Sequence, residues 1–513
     1  MATFDFTRIR GTPKSRNDSF EALAVQLFRV FLQPPAGSTF VSLRGDGGDG
    51  GVEAYFRKPD GRVAGVQAKY FFQLGNAELR QIEDSLTTAL KNHPSLSEYW
   101  VYIPFDLTGR VAAGARGKSQ AERFEEWKNK VEATTRAAGS ALSLTLCTAT
   151  VIWAQIQESD PHGGKRRYWF DESILTQAQV QQCLDDAIAF AGPRYTAALD
   201  VVTGAHVGLD FFGGIGDFAA WRDDSLAPVI AELRSLLGRG DKALEILGEP
   251  DASSVRSTLE AVIEASERMT DVYSVASDAA AVKQGLSNVL PLLTKARDAQ
   301  EQAFNAEHGK NRDSPSFRQF HAEYMCAFPA GEMDAAREWE QAALELQTAL
   351  SSPEMGAATM HSLLLVGPAG IGKTHSIVSA ALRRLARGGY SLVVFGDDFG
   401  RSEPWEVIRS KLGFGADVAR SALFECLQAC ADNTELPFVI YIDALNESPL
   451  DARWKSKLPE LLAQCAPYAG IKVCVSTRDT YRNLVVDARF PGYAFKHSGF
   501  AGHEFEAICH QSA

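Results

Sequence analysis

A chain of 513 residues with 45% hydrophobic and 23% charged residues is long enough for about three domains with cores of their own, and this composition excludes collagenous, low-complexity and disulfide-framework classes. No apolar run reaches the ~20 residues of a membrane span, the N-terminus lacks an apolar signal segment, and the eight cysteines include no C-x-x-C pair; the expectation is a reduced, cytoplasmic protein with no membrane partner and no structural zinc. The net charge of −12 is uneven: residues 1–170 hold 22 Lys+Arg against 18 Asp+Glu (+4), leaving 30 against 46 (−16) for the rest, so nucleic acid is expected to approach the first part only.

Phe20, Leu23, Ala24, Leu27, Phe28 and Phe31 recur at helical spacing behind Asp18, which predicts a helix over Asp18–Leu32 stopped by Pro34 and Pro35. A short strand at Phe40–Leu43 follows, then a glycine-rich turn. Two β-patterned runs, Val52–Arg57 and Val63–Phe72, flank the turn Lys58–Gly61. A helix over Asn76–Asn92, a strand over Tyr99–Phe105, a helix over Ser119–Ala138 and a strand over Leu142–Thr148 complete an order of helix, three strands, helix, strand, helix, strand.

The chemistry of this part sits at Asp49-Gly-Gly-Val-Glu53 and, across the hairpin, at Gln67-Ala-Lys69. Phosphodiester hydrolysis uses carboxylates to hold a divalent cation against the phosphate and a lysine to steady the nucleophile or the developing charge. An acidic turn opening one strand and Q-x-K on its neighbour set those groups side by side, and Glu21 on the first helix adds an outer carboxylate. Each triplet alone also reads as an ordinary turn or a solvated lysine. Together they resemble the PD-(D/E)xK, restriction-endonuclease-like fold, most closely its Mrr-like branch, which pairs D-G-G-x-[DE] with Q-A-K. The resemblance implies that Asp49 and Gln67 are metal-site residues for Mg2+ or Mn2+, that Lys69 is the catalytic lysine, and that Glu53 and Asp46 are neighbours of the site. Gln67 departs from the acid common in such nucleases, and an amide oxygen brings no charge to the cation.

Residues Val151–Gly192 read as a connector whose polar run Asp160–Arg167 is a loop, solvated or laid on a DNA backbone through its three basic residues; His162 alone carries no chemical signal. Gly192–Gly216 suits a hinge or docking segment. Leu226, Val229, Ile230, Leu233, Leu236 and Leu237 form one helical stripe, and Val255, Leu259, Val262, Ile263 and Met269 another, both read as core, with a break at Gly238–Gly240. A polar loop is expected over Glu307–Ser316 and a last helix over Glu332–Leu350.

The apolar run Leu363–Val366 then leads into Gly367-Pro368-Ala369-Gly370-Ile371-Gly372-Lys373-Thr374 and a helix-compatible stretch. This is the G-x-x-x-x-G-K-[ST] loop in its strand-before, helix-after setting. Backbone N–H groups and the helix N-terminus cradle a polyphosphate, Lys373 reaches the β/γ-phosphates, and the Thr374 hydroxyl ligates Mg2+. A second strand is expected over Ser391–Phe395. A third, Phe438–Asp443, ends in an acid suited to the Mg2+ shell, and Glu447 behind it is either a polariser of water or a surface carboxylate. Arg478, closing the strand that begins at Ile471, faces the ligand crevice of such a sheet and is placed to sense the γ-phosphate. Cys426 and Cys430 share a helix and read as buried thiols.

GPAGIGKT, DALNE and STRD in this spacing resemble the STAND class of signal-transducing NTPases, akin to NACHT and AP-ATPase switches, over about residues 351–513. With the nuclease-like part upstream, the arrangement is similar to the antiviral STAND (Avs) proteins of prokaryotes. In these an ATP-driven oligomer, triggered by a viral protein through a long C-terminal sensor, switches on an N-terminal effector. A winged-helix segment and sensor array are expected after such a module and are not found before Ala513; the expectation is either a truncated piece of a longer chain or a natural short form that relies on another chain for sensing. The implied architecture is α/β multidomain: a restriction-endonuclease-like domain over 1–155, a connector over 156–216, a helical spacer over 217–350 and a P-loop NTPase domain with a parallel sheet over 351–513. The implied function is a Mg2+-dependent endonuclease on double-stranded DNA controlled by ATP-dependent homo-oligomerisation. The alternatives are an ATP-dependent restriction-type nuclease, or a regulatory NTPase whose nuclease-like part only binds DNA.

Overall fold

The N-terminal sheet begins with two antiparallel pairings. β1 (Thr39–Ser42) pairs antiparallel with β2 (Ala54–Arg57), and β2 with β3 (Val63–Ala68), in the register Ala54 opposite Val66 and Phe56 opposite Ala64. β3 then runs parallel to β4 (Leu96–Tyr102), and β4 to β5 (Ser143–Cys147), giving the order β1-β2-β3-β4-β5. The computed structural model describes residues 5–11, 15–43, 50–109, 117–137, 139, 141–160, 162–171, 174–199, 203–239, 247–248, 250–269, 272–309, 335–400, 402–497 and 499. The architecture is α/β with two mostly parallel sheets. The chain divides into a first unit, Met1–Ala197 with Pro368–Pro491, and a second, Ala198–Gly367 with Gly492–Ala513.

In the first unit, side-chain alternation along a strand sorts the helices onto two faces of this sheet. α1 (Arg16–Phe31) lies on the face bearing Phe56 and Trp100, whose rings are 5.6 and 6.0 Å from that of Phe28. α2 (Asn76–Asn92) and α3 (Gln120–Ala137) bury Ile82, Leu86 and Phe124 with Val63, Tyr99 and Val101 of the other face. The third strand is expected to reach Phe72 but ends at Ala68. Tyr70 turns back instead, its ring 5.6 Å from Phe20 and its hydroxyl donating to the Phe6 carbonyl at 2.9 Å.

The expected connector is helical: α4 (Ala149–Ser159), α5 (Gly164–Phe170) and α6 (Gln177–Ala191). The loop reading of Asp160–Arg167 is therefore corrected. The fully buried Asp160 carboxylate accepts the Lys165 and Arg166 backbone N–H groups at 3.1 and 2.9 Å, satisfying first-turn donors of α5. The three basic residues also bond internally: Lys165 to the Ser159 carbonyl, Arg166 to Asp160, and Arg167 to Asp417. Sequence patterning alone misses this helix because its cap is supplied from four residues upstream rather than from the adjacent position.

The second unit is mainly helical, with α7 (Gly204–Phe212), α8 (Ala227–Arg239), α9 (Asp251–Glu267), α10 (Val272–Gly309), α11 (Ala335–Ala349) and α12 (Pro353–Thr359). α7 replaces the turn-rich hinge expected over Gly192–Gly216, because His206 and Thr203 close a capping box in front of an apolar run. Leu226, Ile230, Leu233 and Leu236 are buried, as are Val255, Leu259, Val262, Ile263 and Met269, so both stripes are core; Val229 and Leu237 are half-buried. Gly285 lets α10 approach α9, since a Cβ there would strike Val262. Helix α10 runs to Gly309 across the start of the loop expected at Glu307, and 310–316 lie outside the described residues. β6 (Ser362–Gly367) and β10 (Tyr493–Lys496) pair in parallel, Leu363 beside Tyr493.

Back in the first unit, α13 (Lys373–Ala386) is followed by β7 (Ser391–Phe395), α14 (Pro404–Lys411), α15 (Arg420–Thr434), β8 (Phe438–Asp443), α16 (Trp454–Cys465) and β9 (Ile471–Arg478). β7, β8 and β9 are parallel neighbours in that order. Every residue of β7 and β8 is buried, as a strand covered on both faces requires. Cys426 and Cys430 are free and buried on α15. Helix α15 also packs on the N-terminal segment. Asn433 donates to the Tyr168 hydroxyl at 2.6 Å, Gln26 to the Ala429 carbonyl at 3.3 Å, and the buried Trp169 indole to Gln26 at 3.0 Å. Among the described residues no helix is long and apolar enough to cross a membrane.

Candidate functional site

The glycine loop resolves as a turn over 368–372 between β6 and α13. Gly370 (φ +75°) and Gly372 (φ +100°) take the left-handed backbone that side chains disfavour. Gly367 is the buried last residue of β6; Pro368, Ala369 and Gly370 are exposed, and Ile371 to Thr374 are half-buried. Lys373 folds back and its ammonium donates to the Pro368 carbonyl at 2.7 Å. Burial lowers its pKa, opposed first by the Asp443 carboxylate and then by Asp479.

The Thr374 hydroxyl donates to Asp443 Oδ2 at 2.6 Å, joining residues 69 positions apart. Asp443 is 1% exposed, and its other oxygen accepts the Ser476 hydroxyl. Ser476 in turn accepts the Ala444 N–H at 2.9 Å, which helps hold Ala444 at φ +55° just past the strand end. A hydroxyl and a carboxylate side by side are hard oxygen donors, the set Mg2+ prefers with phosphate oxygens. Arg478 closes β9, and its guanidinium donates to Glu447 Oε1 at 2.8 Å while its N–H donates to the Asn446 side chain at 3.1 Å. The structure thus assembles Lys373, Thr374, Asp443, Glu447 and Arg478 from two strand ends, the short turn after one of them and one helix start.

Two members of this cluster escape the motif reading. Ser476 is the first letter of S-T-R-D, and its position at a buried strand end, two residues before the arginine, was the available signal. Arg194 reaches Glu447 Oε2 at 3.5 Å from 253 residues away and leaves no signal in the sequence.

The second candidate site lies on the N-terminal sheet. Gly50 and Gly51 take positive φ (+61° and +87°). A Cβ on Gly51 would collide with the α2 backbone at Ser85 and Ala89. The Gly51 carbonyl accepts the buried Tyr99 hydroxyl at 2.9 Å. The turn is thereby seated on α2, and it delivers Glu53, 7% exposed, whose N–H donates to the Val66 carbonyl at 2.8 Å. Gln67, 1% exposed, donates its amide N–H to the Glu53 carboxylate. Lys69 lies two residues on, just past the end of β3, its N–H donating to the Tyr102 carbonyl at 2.9 Å.

Glu53 and Gln67 are therefore brought together, with Lys69 next in line. Glu21 sits on α1, hydrogen-bonded by Asn17 at 2.6 Å, and follows Phe20, which packs on Tyr70 at the end of β3. Asp46 and Asp49 lie outside the described residues. A carboxylate beside an amide fits a hard divalent cation in donor type. Among the described residues no three His, Cys, Asp or Glu side chains cluster in a metal-binding arrangement. No protein-family model matches this chain, and no curated protein matches it.

Proposed function

We propose that this chain is a Mg2+-dependent DNA endonuclease whose activity is governed by an ATP-binding switch, and that it serves prokaryotic defence against viruses. The observation that carries the reading is that one compact unit holds both candidate sites, Glu53–Gln67–Lys69 and Lys373–Thr374–Asp443. Helix α15 of the nucleotide half accepts a buried hydrogen bond from Gln26 of the nuclease-like half and donates one to Tyr168 of the connector, whose neighbour Trp169 bonds Gln26 in turn.

At the nucleotide site Lys373 neutralises phosphate charge, Thr374 and Asp443 hold the Mg2+ that accompanies ATP, and Arg478 reports on the terminal phosphate. At the nuclease site Asp49 and Gln67, with Glu53 beside Gln67, would hold the divalent cation, which when bound polarises the scissile phosphate. Lys69 places its ammonium against the charge that develops there. One site serves one strand, so ATP-driven association of two copies is what permits double-strand cutting.

The test is cleavage of a plasmid with Mg2+ or Mn2+, with and without ATP, by the full chain beside Lys69→Ala and Lys373→Ala. Cutting that needs both lysines supports the reading. Cutting untouched by Lys69→Ala sinks the active site, and cutting independent of ATP in wild type and Lys373→Ala alike sinks the switch. ATPase activity stimulated by DNA itself would favour an ATP-dependent restriction enzyme instead.

A further inference from the structure

We propose that Arg194 is a nucleotide-binding residue that exchanges Glu447 for the terminal phosphate of ATP; this rests on the nucleotide-site reading above. Its guanidinium is carried to the site by a built platform. Helix α6 is capped by Gly192 (φ +53°), which with Pro193 and Arg194 forms a single 3-10 turn. Phe190, near the end of α6, packs its ring 4.5 Å from that of Phe395, the last residue of β7. The Arg194 guanidinium lies over both rings, at 5.6 and 5.4 Å. Its Nε and Nη2 donate to the carbonyls of Ala191 (3.3 Å) and Phe190 (3.5 Å). A planar cation stacked on aromatic faces is held in position before any ligand arrives.

The direction it faces is the phosphate end of the site. Glu447 receives two guanidinium groups, Arg478 at 2.8 Å and Arg194 at 3.5 Å. The charges of Glu447 and Arg478 both act on the Lys373 ammonium, the group that meets the β/γ-phosphates in a loop of this type. The Arg194–Glu447 contact is long and part-exposed, 39% and 32% by side chain, so it is easily surrendered. A terminal phosphate offers several oxygens and more charge than one carboxylate already shared with Arg478, and guanidinium groups pair with phosphate bidentately. The next ring along the segment, Tyr195, lies 5.0 Å from His375, the residue after Thr374. The segment Phe190–Tyr195 thus follows the nucleotide site, and three residues beyond Arg194 the chain leaves the first unit at Ala197. ATP in place of ADP would therefore be felt on the very segment that leads out of the effector-bearing unit.

The experiment is calorimetric titration of the full chain with MgATP and, separately, MgADP, for wild type, Arg194→Ala and Arg194→Lys, with melting curves as the control for folding. Arg194→Ala is expected to lower the ATP-to-ADP affinity ratio about tenfold, the size of one charge-assisted hydrogen bond at its lower end. ADP affinity should move less than about twofold, since ADP lacks the terminal phosphate. Arg194→Lys should fall between, because it keeps the charge and loses the fork. If Arg194→Ala does not fold, Arg194→Gln reads the same ratio. Wild type that binds ATP while the substituted chains keep its ratio overturns the role of Arg194 alone. Wild type that binds neither nucleotide overturns the nucleotide site itself and this proposal with it.

Discussion

Asp443 and Glu53 are two nearly buried carboxylates, each hydrogen-bonded by a neighbouring side chain, and the chemistry of those neighbours differs. Asp443 is held by hydroxyls, Thr374 on one oxygen and Ser476 on the other. A hydroxyl that donates to a carboxylate still has lone pairs to offer a cation. Glu53 is held by the N–H of the Gln67 amide, which has no lone pair to give; Gln67 must present its oxygen instead. The hydroxyls on Asp443 can keep their hydrogen bonds and still face a cation through the same oxygens, whereas Gln67 meets Glu53 through its amide nitrogen and has only its separate carbonyl oxygen to offer one.

The sharpest break of this comparison is Lys69→Ala, expected to reduce plasmid cleavage about 100- to 1000-fold, the usual loss when one charge-stabilising group is removed, with ATP binding by calorimetry unchanged. Lys373→Ala should weaken ATP binding about 10- to 100-fold through loss of a charged phosphate contact, and the melting temperature without nucleotide should hardly change. Gln67→Glu probes the difference between the two carboxylates directly. It sets a second negative charge against Glu53 in a buried place, so the melting temperature should fall by about 2–4 °C without metal and recover in millimolar Mg2+ or Mn2+. A melting temperature indifferent to the cation would show that the pair does not bind it.

The smallest effect concerns the packing of the two halves of the first unit. Burial, and then the Asp160 carboxylate beside it, push the Glu425 carboxyl from 4.5 up to about 7. The folded chain therefore holds this proton where the unfolded chain has lost it. Stability from this group is present below about pH 4.5 and is lost as pH rises towards 7. Glu425→Gln keeps the shape without the charge and should raise the melting temperature by about 1–2 °C at pH 8 relative to pH 5, discounted for its partial exposure. A gain that is the same at both pH values would contradict the shared proton.

Much of the first sheet was legible in the sequence. The helix over Asn76–Asn92 was placed at its bounds, and β2, β5, α1 and α3 fell within a few residues, because each carries a period of 2 or 3.6 between clear breakers. The strand ends at Asp443 and Arg478 were equally readable, since apolar runs ending in a charged residue mark where a buried strand meets solvent. The region from Asp160 to Phe212 was not. Two of its three helices, α5 and α7, are short, and α5 draws its cap from a buried aspartate outside the local pattern. Its residues Tyr168 and Trp169 find their partners far away in the chain, Asn433 of the Arg420–Thr434 helix and Gln26 of α1.

The sequence by itself determined the glycine loop, the acid that ends the Phe438–Asp443 strand, the Q-x-K strand and the stripes of the helical unit, because these depend on spacing within a few residues of chain. Tertiary structure alone decided which of those groups meet. It set the Thr374 hydroxyl on Asp443, placed Ser476 on the other oxygen, tied Gln67 to Glu53, and carried Arg194 onto Glu447. The physical reason is that hydrogen bonds of 3 Å or so are fixed by sheet register and helix packing, and register is a property of partners, not of the strand that carries the residue.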